Sequence, residues 1–277
     1  MPIEPAQDDF REVPGSLGAA ACYVLHTAEA DKKAIASLTW ADKWQARQLR
    51  AITTSIPPDF PARPSRPNLM SPKDMPRRRS GGEKGRIALL HALAHIELNA
   101  IDLAWDMVAR FDSENWPQAF FDDWVQVAHD EARHFQLLAR RLNQLGTSYG
   151  DLPAHNSMWE AAHDTRHDAL ARLAIVPLVL EARALDVTPA MIDRVRRSGD
   201  EDSAAIIELI AGEEIAHVAA GWRWFSWLCE KRDLMPTRTY ASLVKKHLRA
   251  ALKPPFNNTA RNAAGLPPEL YQGLVTN

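Results

Sequence analysis

The chain has 277 residues, of which 46% are hydrophobic and 25% are charged, and its formal net charge is −2. A chain of this length can bury a full hydrophobic core, and a net charge near zero argues against a general nucleic-acid or acidic-membrane partner. Its two cysteines, Cys22 and Cys229, lack Cys-x-x-Cys spacing, which excludes a zinc ribbon and an iron–sulfur cluster. Residues 1–9 lack the apolar run of a signal peptide, so we expect cytoplasmic residence and no membrane partner.

The N-terminal part, residues 1–83, is predicted to be a helical extension followed by a proline-rich linker. Apolar residues at helical spacing predict two helices within residues 14–55. Residues 56–85 contain seven prolines and a Ser-Gly-Gly run, which indicates irregular chain over a surface. The Arg-Arg-Arg run at residues 77–79 is typical of a solvated segment, and it is the single feature that would favour an RNA substrate.

Residues 84–231 begin with a predicted helical hairpin that carries acidic side chains in apolar surroundings. Glu97 is followed, after thirty-three intervening residues, by Glu131-Ala-Arg-His134. Apolar residues three and four positions away place Glu97 and Glu131 on the core-facing stripe of each helix. A turn is predicted at residues 112–117, and at about 1.5 Å per residue the two legs of the hairpin have nearly equal length. The two carboxylates should therefore lie at the same height.

A second hairpin repeats this arrangement. Glu181 is followed, after thirty-two intervening residues, by Glu214-Ile-Ala-His217, and Ser198-Gly199-Asp200 marks the turn between them. Thr188-Pro189 interrupts the first leg, because a threonine before a proline is typical of a helix N-cap with proline at the first helical position. We therefore expect this helix to be broken or kinked at Pro189.

Together, the two hairpins have the ligand pattern of a four-helix di-metal site. In such bundles each of two helices offers one Glu, and each of the other two offers a Glu-x-x-His pair. A buried, unpaired carboxylate is costly, and a metal ion is the simplest compensating charge. A third motif, Glu160-Ala-Ala-His163, has no Glu at the matching upstream position and serves as an internal control. The predicted metal ligands are Glu97, Glu131, His134, Glu181, Glu214 and His217.

These motifs, with His91-Ala-Leu-Ala-His95-Ile-Glu97, Asp130-Glu131-Ala-Arg-His134-Phe and Tyr149-Gly-Asp-Leu-Pro153, resemble the ferritin-like di-iron carboxylate superfamily, and more narrowly a bacterial ferritin-like family of unestablished function. The resemblance covers residues 84–231. It implies an all-α, ferritin-like four-helix bundle with a long crossover, in which Glu131 and Glu214 bridge two ions, Glu97 and Glu181 are terminal or semi-bridging, and each histidine binds one ion. The implied metal pair is Fe/Fe or Mn/Fe, since one ligand set suits both.

Other residues near the motifs have plainer interpretations. His91 and His95 are predicted to be core or interface histidines. His163-Asp-Thr-Arg-His167 has Asp where a zincin motif needs Glu, so we do not expect it to bind metal. Asp130 and Glu213 precede the motif glutamates, and either orient the ligands or lie at the surface.

The C-terminal part, residues 232–277, is predicted to be a helix over residues 240–252 followed by a tail. From Pro254 the tail is rich in proline, which predicts extended or loosely ordered chain that wraps a neighbour or covers the bundle end. Extra segments on both sides of the bundle argue against a minimal iron-storage subunit. A homodimer is one assembly that they would allow.

The sequence therefore favours an O2-activating oxidoreductase that acts on a small organic substrate and takes electrons from an external donor. The alternatives are a protein that oxidises or buffers iron or relieves peroxide stress, a scaffold whose carboxylates hold Mg²⁺ or protons, and a tRNA-modifying hydroxylase. An apolar pocket beside the metals would favour an organic substrate, whereas a polar path to solvent would favour iron entry.

Overall fold

A computed structural model describes residues 15–50, 55–76, 82–248 and 252–275 of the protein. These residues are helical with irregular connections and form no strand, which confirms the predicted all-α class. The α-helices are α1 (Leu17–His26), α2 (Ala30–Gln45), α3 (Gly82–Arg110), α4 (Gln118–Gln144), α5 (Ser157–Asp164), α6 (Ala169–Ile175), α7 (Ala182–Arg197), α8 (Glu201–Lys231), α9 (Pro236–His247) and α10 (Asn258–Ala263).

Four long helical elements form the bundle. Helix α3 packs along α4, α7 packs along α8, and the two pairs meet through α4 and α8. The turn between α7 and α8 lies at the predicted residues: Gly199 has a φ of 80°, and the Asp200 side chain accepts a hydrogen bond from Ser203 N at 3.1 Å. Residues 145–168, which include α5, form the predicted long crossover. The bundle begins at Gly82 and ends at Lys231, while the division into three segments stays a prediction.

Helix α7 continues through Pro189 from Ala182 to Arg197, so the predicted break at Thr188-Pro189 is wrong, while a kink there stays a prediction. A proline inside a helix deprives the carbonyl four residues earlier of its partner, here that of Leu185. The Asn257 side chain, from the C-terminal part of the chain, donates a hydrogen bond to this oxygen at 3.1 Å. A distant side chain thus replaces the missing N–H group and allows the helix to continue.

The two predicted N-terminal helices are present and pack on the first hairpin, α1 against α3 and α2 against α4. Ser37 connects α2 to the bundle, since its hydroxyl donates to Ala128 O and accepts from Trp105 Nε1, both at 2.8 Å. The buried Lys33 forms an ion pair with Asp102 of α3. The expectation for residues 1–9 and the arginine run at residues 77–79 lie outside the described residues.

The C-terminal tail is more ordered than predicted. Helix α9 begins at Pro236, earlier than expected, and the tail forms α10 and two short 3₁₀ turns instead of extended chain. The buried Arg261 of α10 donates to both carboxylate oxygens of Asp186 on α7 at 2.8 Å, and its guanidinium stacks 4.4 Å from the Tyr271 ring. A buried charge needs such a partner, so this pair fixes the tail against the bundle.

Helix α3 is long and apolar enough to cross a membrane, judged by length and composition alone. Two-thirds of its most apolar window, 67%, is buried against the rest of the protein. The core helix of a helical bundle meets the same criterion. The apolar surface of α3 is therefore explained by packing within the bundle.

Candidate metal centre

Four of the six predicted ligands converge in the bundle. They are Glu97 of α3, Glu131 and His134 of α4, and Glu214 of α8, and all four are buried. Each side chain offers one potential ligand atom, and these four atoms lie within 4.8 Å of one another. The equal legs of the first hairpin bring the residues of α3 and α4 to one height, as the sequence predicted. This cluster could hold metal ions.

The two histidines direct the same ring nitrogen toward the carboxylates. His134 Nδ1 lies 3.2 Å from Glu97 Oε2 and 3.6 Å from Glu131 Oε2. His217 Nδ1 lies 3.1 Å from Glu131 Oε1 and 3.5 Å from Glu214 Oε1. Both imidazoles would therefore offer Nδ1 to an ion, while Nε2 points away from the carboxylates of Glu97, Glu131 and Glu214.

Glu181 lies at the edge of this cluster. Its side chain is 7% exposed, and it lines the same cavity as Glu97, Glu131 and Glu214. Burial, followed by the charges of Glu214 and Glu131, raises the pKa of Glu181 to about 8. The structure thus gathers four of the predicted residues and places His217 and Glu181 beside them. Their roles as metal ligands stay predictions.

Three buried polar atoms of the cluster have no hydrogen-bond partner among the described residues: Glu131 Oε2, Glu181 Oε2 and His217 Nδ1. His217 Nδ1 is close to Glu131 Oε1 but is not aligned with it for a hydrogen bond. Each buried polar atom left without a partner costs about 1–3 kcal/mol. Oxygen and imidazole nitrogen atoms are the ligands that iron and manganese accept, so bound cations would satisfy all three. The residues present therefore fit a metal centre.

The ionisation of the cluster without metal follows from its crowding. Burial and the neighbouring Glu131 charge raise the pKa of Glu97 well above its usual value. Burial alone would lower the pKa of His134, but its contacts with Glu131 and Glu97 prevail and raise it to about 11. His217 behaves alike: burial acts to lower its pKa, but the Glu214 charge and the contacts with Asp130 and Glu131 together prevail and hold the pKa well above the usual value. The cluster therefore retains protons where ions would otherwise bind.

The pKa of Glu131 shifts in the opposite direction. Burial acts to raise this pKa, but the close contacts of Glu131 with the His134 and His217 imidazoles prevail and hold the pKa of Glu131 below its usual range. A carboxylate between two imidazolium rings stays ionised even in the bundle interior. Glu131 thus occupies the central position from which one carboxylate could contact two ions.

The outer nitrogen of each histidine contacts an acidic residue from the opposite hairpin. His134 Nε2 of α4 lies 2.6 Å from Glu213 Oε2 of α8, and His217 Nε2 of α8 lies 3.5 Å from Asp130 Oδ2 of α4. Arg133 contacts both Glu213 and Asp130. Such contacts fix the orientation of a ligating imidazole.

The sequence pointed to Asp130 and Glu213 as residues that could orient the ligands. It did not predict that each would contact a histidine of the opposite hairpin, or that Arg133 would contact both of them. The available signal was an acidic residue directly before the glutamate of both Glu-x-x-His motifs. The control motif lacks such a residue, since Trp159 precedes Glu160.

The segment that carries Glu181 is a π-helix, Val176–Glu181, inserted between α6 and α7. Pro177 lies in its first turn, and π-turns of this kind often occur at functional sites. Gly221 of α8 faces this turn: a Cβ atom at Gly221 would lie 2.4 Å from Cβ of Pro177. The absence of a side chain at Gly221 is therefore what allows α8 to approach the π-turn.

We expect Gly221→Ala to destabilise the protein by about 1–3 kcal/mol, since the added methyl group must displace Pro177 or α8. Displacement of the π-turn also moves Glu181, so metal content should fall. Chemical denaturation and elemental analysis measure the two effects. Gly212→Ala on the same helix is the matched control, because a Cβ atom there meets open space; it should stabilise by about 0.5–1 kcal/mol. Equal stability of the two variants would contradict this role of Gly221.

His91 and His95 are buried and hydrogen-bonded within the protein, as core histidines would be. His95 Nδ1 accepts a hydrogen bond from the Tyr149 hydroxyl at 2.8 Å, and Nε2 donates to His155 O at 3.1 Å. Burial and the nearby Arg63 lower the pKa of His95 to about 4, so the ring is neutral. His91 Nε2 accepts from Gly150 N at 2.9 Å. In the control motif, Glu160 is exposed and does not join the cluster.

A cavity of about 260 Å³ adjoins the carboxylates. It lies between α3, α7 and α8, and Glu97, Glu131, Glu181 and Glu214 form one end of its wall. Most of the remaining wall is apolar, including Leu93, Ile96, Val187, Met191, Ile207 and Ile210. A concave, apolar space with a few converging polar groups is typical of a small-molecule site.

The fold and the site define an all-helical bundle protein with a buried cluster of carboxylates and imidazoles that is compatible with metal-dependent function. The chain belongs to the family described as "Protein of unknown function (DUF455)", whose sequence profile matches residues 26–272. An uncharacterized protein of Haemophilus influenzae is 40% identical over 227 residues, which are 80% of this chain and 79% of that protein. No solved structure matches the chain.

Proposed function

We propose that this protein is a ferritin-like di-metal carboxylate enzyme that activates O2 to oxidise a small organic substrate. The observation that carries the proposal is the convergence of buried carboxylates with the Nδ1 atoms of two histidines. Three polar atoms of this cluster lack hydrogen-bond partners among the described residues. Glu97 and His134 would bind one ion, and Glu181 and His217 the other. Glu131 and Glu214 would be shared, and the pair would be Fe/Fe or Mn/Fe.

Two bound ferrous ions would supply two electrons to O2. A hydroxylation balances as R–H plus O2 plus two electrons and two protons, giving R–OH and water, so an external donor such as a reduced flavin or iron–sulfur protein is required. The chain contributes the rest. The four carboxylates hold the ions together, Glu213 and Asp130 orient the imidazoles, and the apolar wall excludes water from the substrate.

The cavity supports an organic substrate over the alternatives. Iron entry to a protein that oxidises or buffers iron would favour a polar path, whereas this wall is mainly apolar beyond the carboxylates. A tRNA-modifying hydroxylase would favour a basic rim, and the cavity residues among the described part of the chain include one arginine, Arg183. Cytoplasmic residence and a homodimeric assembly belong to the same proposal.

Metal analysis tests this function first. We expect protein from iron-supplemented medium, purified without chelator or affinity tag, to contain about two iron ions, or about one iron and one manganese, per chain. With a chemical reductant it should then consume O2. Glu97→Ala and His217→Ala should lose both properties, and a variant that keeps its metal would remove that residue from the ligand set.

Two results would count against the proposal. Metal content near zero after anaerobic Fe(II) loading would refute the di-metal site. A full metal content without O2 consumption would instead support the scaffold alternative, in which the same residues hold a redox-inactive ion. The exposed control variant Glu160→Gln should keep both metal and O2 consumption.

A further inference from the structure

A second cavity, of about 180 Å³, adjoins the one beside the carboxylates. The two cavities share five wall residues, which are Leu93, Ile96, His155, Met158 and Met191. The second one continues between α3 and residues 153–158 of the crossover, away from Glu131 and Glu214. The shared wall makes the two cavities neighbouring compartments of one elongated space.

Apart from the carboxylates at its end, this space is lined by polar side chains, such as Thr188 and Arg183, that already have partners within the protein. Thr188 Oγ1 donates to Ala184 O at 2.7 Å, and Arg183 Nη1 donates to Lys253 O at 2.6 Å. Arg183 Nη1 also lies 3.5 Å from Asp186 Oδ2, so its charge already has a counter-charge. A charged ligand would therefore lose its hydration without gaining a free counter-charge from Thr188 or Arg183. The walls therefore favour an uncharged ligand.

The same holds at the junction and in the second cavity. The His155 Nδ1 atom is paired with Ser157 Oγ at 2.7 Å. Asn99 Nδ2 donates to His95 O at 2.7 Å, and Asn99 Oδ1 accepts from Arg63 at 2.7 Å. These side chains are thus engaged within the protein, which leaves the apolar groups to contact a ligand.

Size and flexibility indicate the shape of the ligand. An apolar cavity of about 150 Å³ holds a benzene ring, so the larger compartment, at about 260 Å³, has room for a substituted ring or a folded chain. Met158 and Met191 line the junction, and Met75 lines the second compartment. Methionine side chains are unbranched and adapt to irregular apolar partners. Ile96, which is 41% exposed, lies on the shared wall and marks the side nearest to solvent.

We propose that the two compartments form one binding site for an uncharged, elongated apolar molecule, with one end against the carboxylate cluster and the other beneath residues 153–158. That this molecule is the substrate rests on the proposed function. Its binding does not, because side chains of the bundle and of the crossover form the walls. The carbon atoms at the end beside Glu131 would be the ones exposed to oxidation.

The full-length protein is tested with N-phenylnaphthylamine, a neutral fluorophore that brightens in apolar sites. We expect saturable binding by the metal-free and the anaerobically Fe(II)-loaded protein, and displacement by hexylbenzene but not by hexanoate or hexylammonium. Equal displacement by hexanoate would overturn the assignment to uncharged ligands.

Three variants locate the probe. Ala211→Phe places a ring in the larger compartment and should weaken binding at least about tenfold. Ala216→Phe is the matched control, since it lies on the same helix but is exposed, and it should bind as the wild type does. Met191→Ala enlarges the junction without adding bulk, and should admit a branched competitor that the wild type excludes. Circular dichroism and thermal melting confirm that each variant folds.

The outcomes separate this inference from the proposed function. Probe binding that Ala211→Phe abolishes and Ala216→Phe preserves supports the site even if the protein takes up no metal. A protein with two ions per chain that does not bind the probe, or binds it equally in all variants, refutes the site and leaves the metal centre in place.

Discussion

At pH 8, metal-free Glu181→Gln protein is expected to be more stable than metal-free wild type, although it should bind fewer metal ions. In the folded protein the Glu181 carboxyl has a pKa of about 8, whereas its ordinary value is 4.5. The carboxyl is thus mainly protonated in the folded state near neutral pH, and a glutamine has nearly its shape. The substitution removes a candidate ligand while leaving the packing intact.

The pH dependence follows from proton linkage. Between the unfolded and folded pKa values of Glu181, the folded state binds more protons, so the free energy of unfolding falls as pH rises. The stabilisation is fully present below about pH 4.5 and is lost by about pH 8. Between these two pH values the free energy of unfolding falls by about 1.4 kcal/mol per pH unit, which amounts to a few kcal/mol in total. The glutamine variant does not titrate there and should lack this component.

Urea denaturation of both proteins from pH 5 to pH 8, after chelator treatment, measures the difference, and elemental analysis of untreated protein measures the metal. Glu160→Gln changes an exposed glutamate of the control motif and should follow the wild type in both measurements. Parallel stability curves for wild type and Glu181→Gln would show that Glu181 is ionised in the folded state, contrary to its crowded position.

Helix geometry explains why the sequence predicted so much of the cluster. A fixed rise per residue converts spacing along the chain into height, so the equal legs around residues 112–117 brought Glu97 and Glu131 together. Apolar neighbours then fixed the face on which each ligand lies. The spacing along the chain and the pattern of apolar neighbours can both be read from one helix at a time, without knowledge of its partner helix.

The parts that sequence reasoning missed depend on distant partners. Pro177 and Pro189 both lie within helical sequence. The π-turn forms at Pro177, where Gly221 leaves space, while Asn257 bonds to the carbonyl that Pro189 leaves unpaired. Tertiary contacts decided between them. Likewise, the order of the tail depends on Arg261 meeting Asp186, which no helical periodicity could reveal.

Loading two divalent ions is expected to release about four protons per chain near pH 7. In the metal-free protein, the pKa values of Glu97, Glu181, His134 and His217 are raised, and we expect each of these side chains to carry one proton that a bound ion displaces. Two ions of charge +2 then replace four protons, so the net charge of the buried cluster does not change. A bundle interior that excludes water favours such an exchange, because a change of net charge there would be costly.

This exchange makes metal affinity depend steeply on pH. Protons compete with the ions, so affinity rises with pH, and the product of the two binding constants should change about ten-thousand-fold per pH unit around neutrality. Calorimetric titration with redox-inert Zn²⁺, in buffers that differ in their heat of ionisation, gives the number of protons released. Ions bound by exposed carboxylates, which are already ionised, would release almost none. A result near zero would therefore place the metal outside the bundle, whereas a release near four protons requires the buried imidazoles and carboxyls to be the groups that bind it.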